Sequence, residues 1–259
     1  MHFFMAFISF DSLVNRFSEN IYGTRKGRLR MRLIDALYQR YLPIELVQGG
    51  HVLDAAGGLG QMTTWFNVQG AEKVDYFDVS GEMANYVEAQ CRSEIEQGSV
   101  TVRQASIIDY RPDQPVDVVN IHAVLEWLEN PMSVVDQLQH WVKPGGYVGL
   151  MVYNKHMLML RHLMRGTLSK AMAGQLRGAK GGLTPITAID PQEVEQRLIA
   201  SGFEIVTQAG IRSFSDLAEK TVVEWYDEED VFDAELELCE QRPYCDIARY
   251  VLFIARKPS

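Results

Sequence analysis

The stretch Val52-Leu53-Asp54-Ala55-Ala56-Gly57-Gly58-Leu59-Gly60 constrains this chain more than any other, because an apolar run of strand length passes directly into a glycine-rich turn. Such a strand, followed by a turn and a helix, opens a βα unit. At the helix start the unpartnered N–H groups and the positive end of the dipole suit an anionic group, and the missing Cβ atoms let a ligand approach the backbone. A tight βα turn that holds nothing is the plainer alternative.

The rest of the chain repeats the unit. Short apolar runs alternate with longer amphipathic ones, the pattern of a largely parallel sheet. Leu29–Leu46 reads as a helix, His51–Ala55 as the first strand, and a helix follows from about Gln61. Val74–Phe77, Val100–Gln104 and Val116–Ile121 are the next strands, with Glu82–Glu96 a helix between the second and third. Ser133–Val142 suits a helix stopped by Lys143-Pro144-Gly145-Gly146, after which Tyr147–Val152 is a fifth strand. Lys155–Thr187 interrupts the alternation with methionines, basic residues and glycines; it predicts a helical insertion, over about 155–189, able to act as a lid. Pro191–Ala200 resumes as a helix, with strands at Glu204–Thr207 and Tyr250–Ala255. The expected fold class is α/β: a Rossmann-like, mostly parallel sheet with helices on both faces and an insertion after the fifth strand. At 259 residues this fits a single domain spanning 1–259, with an N-terminal helical segment over 10–46.

A formal charge of −9 argues against a generic nucleic-acid binder, since affinity for phosphate comes from Lys and Arg displacing counterions. Its distribution changes that argument. Arg25, Lys26, Arg28, Arg30 and Arg32 form one basic island; Lys155, Arg161, Arg165, Lys170, Arg177 and Lys180 form another, while Glu224–Glu240 is acidic. A local positive face steers an anionic partner even on an acidic protein, because screening limits the reach of distant carboxylates. Solvated helix faces are the alternative. Cys91, Cys239 and Cys245 make no Cys-x-x-Cys pair and no even framework, so neither disulfides nor a metal site are expected. Met1–Phe10 is apolar but lacks a basic n-region and a small-residue cleavage site, and is too short to span a bilayer; a cytoplasmic protein without membrane insertion is expected.

Further residues mark a ligand site. Asp78 follows the second strand, where a carboxylate can accept both hydroxyls of a ribose, while Ser80 fits the cap of the next helix and leaves Asp78 for the ligand. After the third strand, Ser106, Ile107 and Asp109 lie where an adenine edge can be met. His122 ends the fourth strand at the carboxyl edge of the sheet, where open α/β folds bind ligands. Trp127 reads as core. A dinucleotide loop prefers Gly-x-Gly-x-x-Gly, and counted from Gly58 the third position is Thr63, which favours S-adenosylmethionine over a nicotinamide dinucleotide.

Phe17-Ser18-Glu19-Asn20-Ile21-Tyr22-Gly23-Thr24-Arg25-Lys26-Gly27, His122-Ala123-Val124-Leu125-Glu126-Trp127, Tyr153-Asn154 and Arg249-Tyr250 carry a narrower likeness. On these segments the chain resembles the bacterial tRNA 5-carboxymethoxyuridine methyltransferases over nearly its whole length. The resemblance implies a class I methyltransferase using S-adenosylmethionine to convert the carboxymethoxy group of a wobble uridine to its methyl ester, with the anticodon arm of tRNA as partner of the two islands. It assigns cofactor contacts to Arg30, Ala56, Gly57, Asp78, Ser106, Ile107 and His122, with Arg30 facing the methionine carboxylate. Ala56 departs from the glycine usual at that turn, and its methyl group narrows the backbone approach.

The implied chemistry asks for no general base, since a carboxylate is already ionised near neutral pH. Positioning and exclusion of water then dominate. Arg212, the Tyr22–Lys26 segment with Tyr22, and Tyr153 as a neutral donor are the candidates for holding the substrate carboxylate; structural ion pairing is the alternative for Arg212. Two other functions compete: methylation of a small-molecule acid or quinone-like metabolite, and a noncatalytic cofactor-binding interaction protein.

Overall fold

The computed structural model describes residues 23–176 and 187–259. Tyr22, the segment before it, and Arg177 and Lys180 of the second basic island lie outside the described residues. The strands are β1 (His51–Ala55), β2 (Lys73–Asp78), β3 (Val100–Gln104), β4 (Val116–His122), β5 (Val142–Tyr153), β6 (Glu204–Ile211) and β7 (Tyr250–Arg256). They form one seven-stranded sheet in the order β3-β2-β1-β4-β5-β7-β6. The first five run parallel, and β7 lies antiparallel between β5 and β6. The order reverses between β1 and β4, which opens a crevice at their carboxyl ends, the position where such sheets take ligands.

Near-continuous apolar strands are what a sheet covered on both faces requires. Val52, Val74, Val118 and Met151 pack on one face with Leu29, Leu33, Leu37 and Tyr38 of α1 (Arg25–Tyr41), and with Met62 and Phe66 of α3 (Gln61–Val68). Leu53, Phe77, Val119, Ile121 and Leu150 pack on the other with Val134, Leu138 and Trp141 of α6 (Met132–Trp141), and with Val194 and Leu198 of α9 (Pro191–Ala200). Burying one such side chain stabilises the fold by about 1.5–3 kcal/mol.

Several boundaries differ from expectation. The first helix ends at Tyr41 and a short α2 (Ile44–Val47) follows, because Pro43 between them cannot continue the ladder. The single helix expected over Glu82–Glu96 is broken at Cys91 into α4 (Gly81–Gln90) and α5 (Arg92–Gln97). β5 begins at Val142, five residues before the expected start: Val142 pairs with Val116, and the register then shifts across the Pro144-Gly145 turn. β6 continues to Ile211. The insertion is helical as expected where it is described, as α7 (Lys155–Met164) and α8 (Leu168–Met172). Between β6 and β7 lie α10 (Phe214–Leu217), α11 (Lys220–Val223) and α12 (Glu228–Leu238). The acidic stretch read only as charge is α12, and Glu228, Glu229 and Asp230 in its first turn complement the helix dipole.

Candidate active site

A cleft opens at the carboxyl edge where the strand order reverses. Its walls are Arg30 and Met31 of α1, the turn Ala56–Leu59 after β1, Asp78 and Val79 after β2, His122–Val124, Glu126 and Trp127 after β4, Tyr153 at the end of β5 and Tyr250 at the start of β7. Because β7 is antiparallel, its first residue falls beside the last of β5; the Tyr153 and Tyr250 rings meet edge to face with centroids 5.2 Å apart.

The glycine turn is held from below. Asp78 Oδ2 accepts from the Gly58 N–H at 3.0 Å and its Oδ1 from the Ser80 N–H at 2.9 Å, while Tyr76 Oη donates to the Gly58 carbonyl at 2.7 Å. Asp78 is therefore not left free, although Ser80 does cap α4 by accepting from the Met83 N–H. Gly57 has no room for a side chain: a Cβ there would lie 2.5 Å from Asp54 Oδ2 and 2.8 Å from Tyr76 Cδ2. Ala56 instead has a φ of 53°, in the left-handed region that costs an L-residue about 1–2 kcal/mol.

A buried hydrogen-bonded chain joins this turn to the end of β4. Asp54 accepts from Thr63 Oγ1 at 2.6 Å and from Asn120 Nδ2 at 2.8 Å. The Asn120 oxygen thus faces Tyr38, whose hydroxyl donates to it at 2.6 Å. With that proton committed, the 2.9 Å contact between Tyr38 Oη and His122 Nε2 requires the hydrogen to sit on Nε2. Burial, helped by the nearby Arg30 charge, pushes the His122 imidazole down to about 3. The ring is neutral at pH 7, with Nδ1 as its acceptor. Burial raises the Asp54 carboxyl, against the pull of its Thr63 and Asn120 partners. Gly149 makes this possible, since a Cβ there would meet Tyr38 Oη at 1.8 Å. Tyr38, Asn120 and Asp54 were not predicted as site residues; a glycine inside the apolar run of β5 was the available signal of a close approach.

Around Tyr153 and Tyr250, cations outnumber acids. Asp216, its side chain only 1% exposed, accepts from Arg212 Nη2 at 2.6 Å, Arg249 Nη1 at 2.7 Å and Lys26 Nζ at 2.8 Å. Despite burial, Arg212, Arg249 and Lys26 hold its carboxyl well below the usual range. Arg249 also lies over the Tyr153 ring, 5.0 Å from its centroid, and Arg30 lies 5.9 Å from that of Tyr250. Against the desolvation of its half-buried side chain, Arg30, Arg249 and Arg212 leave the Tyr250 phenol below the ordinary value. Arg212 has a φ of 64°. The turn after it is fixed by Glu235 of α12, which accepts from the backbone N–H and hydroxyl groups of both Ser213 and Ser215.

The cleft thus gathers Arg30, Ala56, Gly57, Asp78, His122 and Tyr153. It does not gather Ser106 or Ile107: Ser106 Oγ accepts from the Ile108 N–H, and Ile107 is buried against the apolar cluster of β1 and β4. Arg212 is not a wall residue either, and its guanidinium pairs with Asp216. Trp127, expected in the core, is half-buried in the cleft wall. The first basic island meets the acidic helix: Arg28 pairs with Glu228 and Arg32 with Glu229, both at 2.6 Å, and Arg25 donates to the Val223 and Tyr226 carbonyls. In the second island Lys155 pairs with Asp190, Arg165 and Lys170 are exposed, and Arg161 Nη1 reaches Tyr153 Oη at 3.4 Å. Among the described residues no cluster of His, Cys, Asp and Glu has metal-site geometry, and no helix is long and apolar enough to cross a membrane.

A family model described as a methyltransferase domain matches residues 25–208. The tRNA 5-carboxymethoxyuridine methyltransferase of Escherichia coli (strain K12) is 34% identical over 258 residues, covering 97% of each chain. Among solved structures, the magnesium protoporphyrin IX methyltransferase of Synechocystis PCC 6803 superimposes with a TM-score of 0.63 at 14% identity, over 96% of this chain and 95% of that one. An S-adenosylmethionine-dependent methyltransferase of Mesorhizobium loti does so with a TM-score of 0.59 at 18% identity, over 92% and 100%. The last two likenesses concern the fold alone.

Proposed function

We propose, from the premise that this chain belongs to the tRNA 5-carboxymethoxyuridine methyltransferase family of S-adenosylmethionine-dependent methyltransferases, that it methylates the carboxylate of 5-carboxymethoxyuridine at the wobble position of tRNA. The observation that carries this reading is similarity running from end to end of both chains, at 97% of each. Of the segment Arg249-Tyr250 that carried the resemblance, Tyr250 lines the cleft and Arg249 lies over the ring of the wall residue Tyr153.

S-adenosylmethionine is the cofactor, and the site fits it. Asp78 stands where a ribose would be held, the Gly57–Gly58 turn offers backbone without side chains, and buried Arg30 faces the cleft for an amino-acid carboxylate. Bound there, the cofactor supplies a methyl group activated by its sulfonium charge. The protein's own task is to bind, orient and dry the nucleophile. His122, neutral and tied to Tyr38, is suited to hold and not to abstract a proton, in keeping with a carboxylate that needs no base. Tyr153 is the neutral donor in the wall; Arg212 acts through Asp216 and Arg249, setting the positive potential around the two tyrosines.

We read the anticodon arm as lying along Arg161, Arg165 and Lys170, since Arg161 brings the insertion to the cleft through Tyr153. The island over Arg25–Arg32 contributes less, because Glu228 and Glu229 neutralise Arg28 and Arg32. That same neutralisation favours the second reading, a methyltransferase for a small-molecule acid. A cytoplasmic setting belongs to the proposal, in line with three free, buried cysteines.

Incubating the protein with labelled S-adenosylmethionine and tRNA carrying the free carboxylate, followed by nucleoside mass analysis, tests the reading. The label should appear on the modified uridine and leave as methanol in mild base. Label that survives base on nucleobase or ribose would defeat carboxyl methylation, and label on a small acid with none on tRNA would favour the second reading.

A further inference from the structure

We propose that Glu126 binds the carboxylate to be methylated, acting as a neutral acid that donates a hydrogen bond to one of its oxygens; the inference rests on the carboxyl-methylation reading. Glu126 is 1% exposed and lines the cleft in the 3-10 turn Leu125–Trp127 that follows β4. Its Oε2 is buried and has no hydrogen-bond partner among the described residues. An orphaned polar atom in the interior costs free energy comparable to a lost hydrogen bond. On the wall of a ligand cleft, it points to a ligand group that completes it.

The protonation state selects that group. Burial outweighs the backbone N–H groups of Glu126 and Tyr153 and pushes the carboxyl up to about 8, so roughly nine-tenths of the molecules carry the proton at pH 7. Ionised, Glu126 would repel an incoming carboxylate. Protonated, it donates to one without adding charge, and two carboxyl groups sharing a proton hold it more tightly than either alone. Arg30, Arg249 and Arg212 lower the Tyr250 phenol, on which the Glu126 carboxyl acts in the opposite sense. Those cations keep the substrate ionised while Glu126 stays neutral.

The transfer balances without a base. The substrate oxygen not bound to Glu126 forms the new C–O bond, the C–S electron pair stays on sulfur, and the carboxylate and sulfonium charges cancel. Glu126 keeps its proton throughout. The ester product retains only a neutral hydrogen bond where the carboxylate had a charge-assisted one, so substrate is held in preference to product.

The test compares binding of two synthetic anticodon stem-loops, one with 5-carboxymethoxyuridine and one with 5-methoxyuridine, to the protein saturated with S-adenosylhomocysteine, from pH 6.5 to 9.5. Other titratable or charged groups on the cleft are Arg30 on α1, Asp54 on β1, raised by burial, Asp78 on β2, His122 on β4, neutral over this range, Tyr153 on β5, raised by burial, and Tyr250 on β7, which its arginines lower. In the wild type the preference for the carboxylated loop should fall about tenfold for each pH unit above the Glu126 transition. Glu126→Gln, which keeps a donor and cannot ionise, should show a pH-independent preference, whereas Tyr250→Phe should keep the decline. The wild-type series needs no variant to fold. A flat wild-type curve, or a Gln variant that still declines, would overturn the proposal. So would a Gln variant with tenfold weaker S-adenosylhomocysteine binding and an unchanged pH profile, since Glu126 would then serve the cofactor. Methylation of tRNA at a base-stable position is a separate result, and it would defeat the carboxyl reading itself.

Discussion

Tyr38 Oη lies 2.9 Å from His122 Nε2, so a helix that precedes the first strand orients the ring at the end of the fourth. The same hydroxyl donates to Asn120, and through Asn120 the contact extends to Asp54 beneath the glycine turn. The two halves of the cleft share one buried polar chain, in which each donor has a single acceptor available. Removing one member disturbs the others, because low polarity raises the cost of an unpaired group.

Tyr38→Phe should therefore do more than delete a hydroxyl. It strands Asn120 Oδ1 and His122 Nε2 in the interior and should lower stability by about 1–3 kcal/mol, read from urea unfolding. Nitrogen NMR of the histidines should show His122 as the Nε2–H tautomer in the wild type and as a mixture in the variant. A single Nδ1–H tautomer in the wild type would contradict the direction of the chain.

The glycine turn makes two neighbouring residues respond in opposite senses. Gly57→Ala puts a Cβ against Asp54 and Tyr76, and since both belong to buried hydrogen-bonded groups neither can yield; binding of S-adenosylmethionine and the melting temperature should both fall. Ala56→Gly relieves a side chain held at φ 53°. After the entropy a glycine adds to the unfolded state, the gain should be up to about 1 kcal/mol, with cofactor affinity equal or better. Calorimetry and thermal melts on both variants decide it; a destabilised Ala56→Gly would mean that the methyl group contributes packing worth more than the strain.

Strands were legible in the sequence because burial on both faces turns each into an apolar run, as in Val74–Phe77, and the glycine turn because its residue types are restricted by space. The helix break at Cys91 left no such mark: Cys91 is neither glycine nor proline. The least legible features depend on partners far along the chain. Arg32 and Glu229 read as separate islands of charge, and only the folding of α12 against α1 brings them together, while Asp216 of α10 meets Lys26 of α1 across nearly the whole chain. For the same reason Arg212 looked available for a substrate, and Glu126 passed as one letter of a motif until its burial beside Tyr153 set its protonation state.

Asp216→Asn should expose that cluster. Arg212 and Arg249 would be left with an amide in place of the charge, and breaking a buried pair in this way costs about 3–5 kcal/mol at pH 7. The exposed Lys26 adds little. The folded pKa of Asp216 is depressed, so its stabilisation is fully present above the unfolded value near 3.9 and lost as pH falls toward the folded one. The gap in urea midpoint between wild type and variant should stay constant from pH 7 to about 5 and shrink below about 4. A gap that holds unchanged down to pH 2 would mean the variant's loss is one of packing and not of charge.

The two basic islands should separate under salt. Arg161 reaches the cleft through Tyr153 and Arg165 is exposed beside it, whereas Arg28 and Arg32 are already occupied by Glu228 and Glu229. If Arg161 and Arg165 hold phosphates of the anticodon arm, changing both to alanine should flatten the dependence of log affinity on log salt by roughly 1.4–1.8 units, about 0.7–0.9 for each lost contact. The matching Arg28 and Arg32 double variant should change the slope by less than half as much, because an arginine paired with a carboxylate releases fewer counterions when RNA binds. Cofactor affinity is the control and should be unaffected by the Arg161 and Arg165 changes. Equal slopes for both double variants would mean that the ion pairs with α12 open on binding; a larger loss from Arg28 and Arg32 would move the RNA path to the N-terminal side of the cleft.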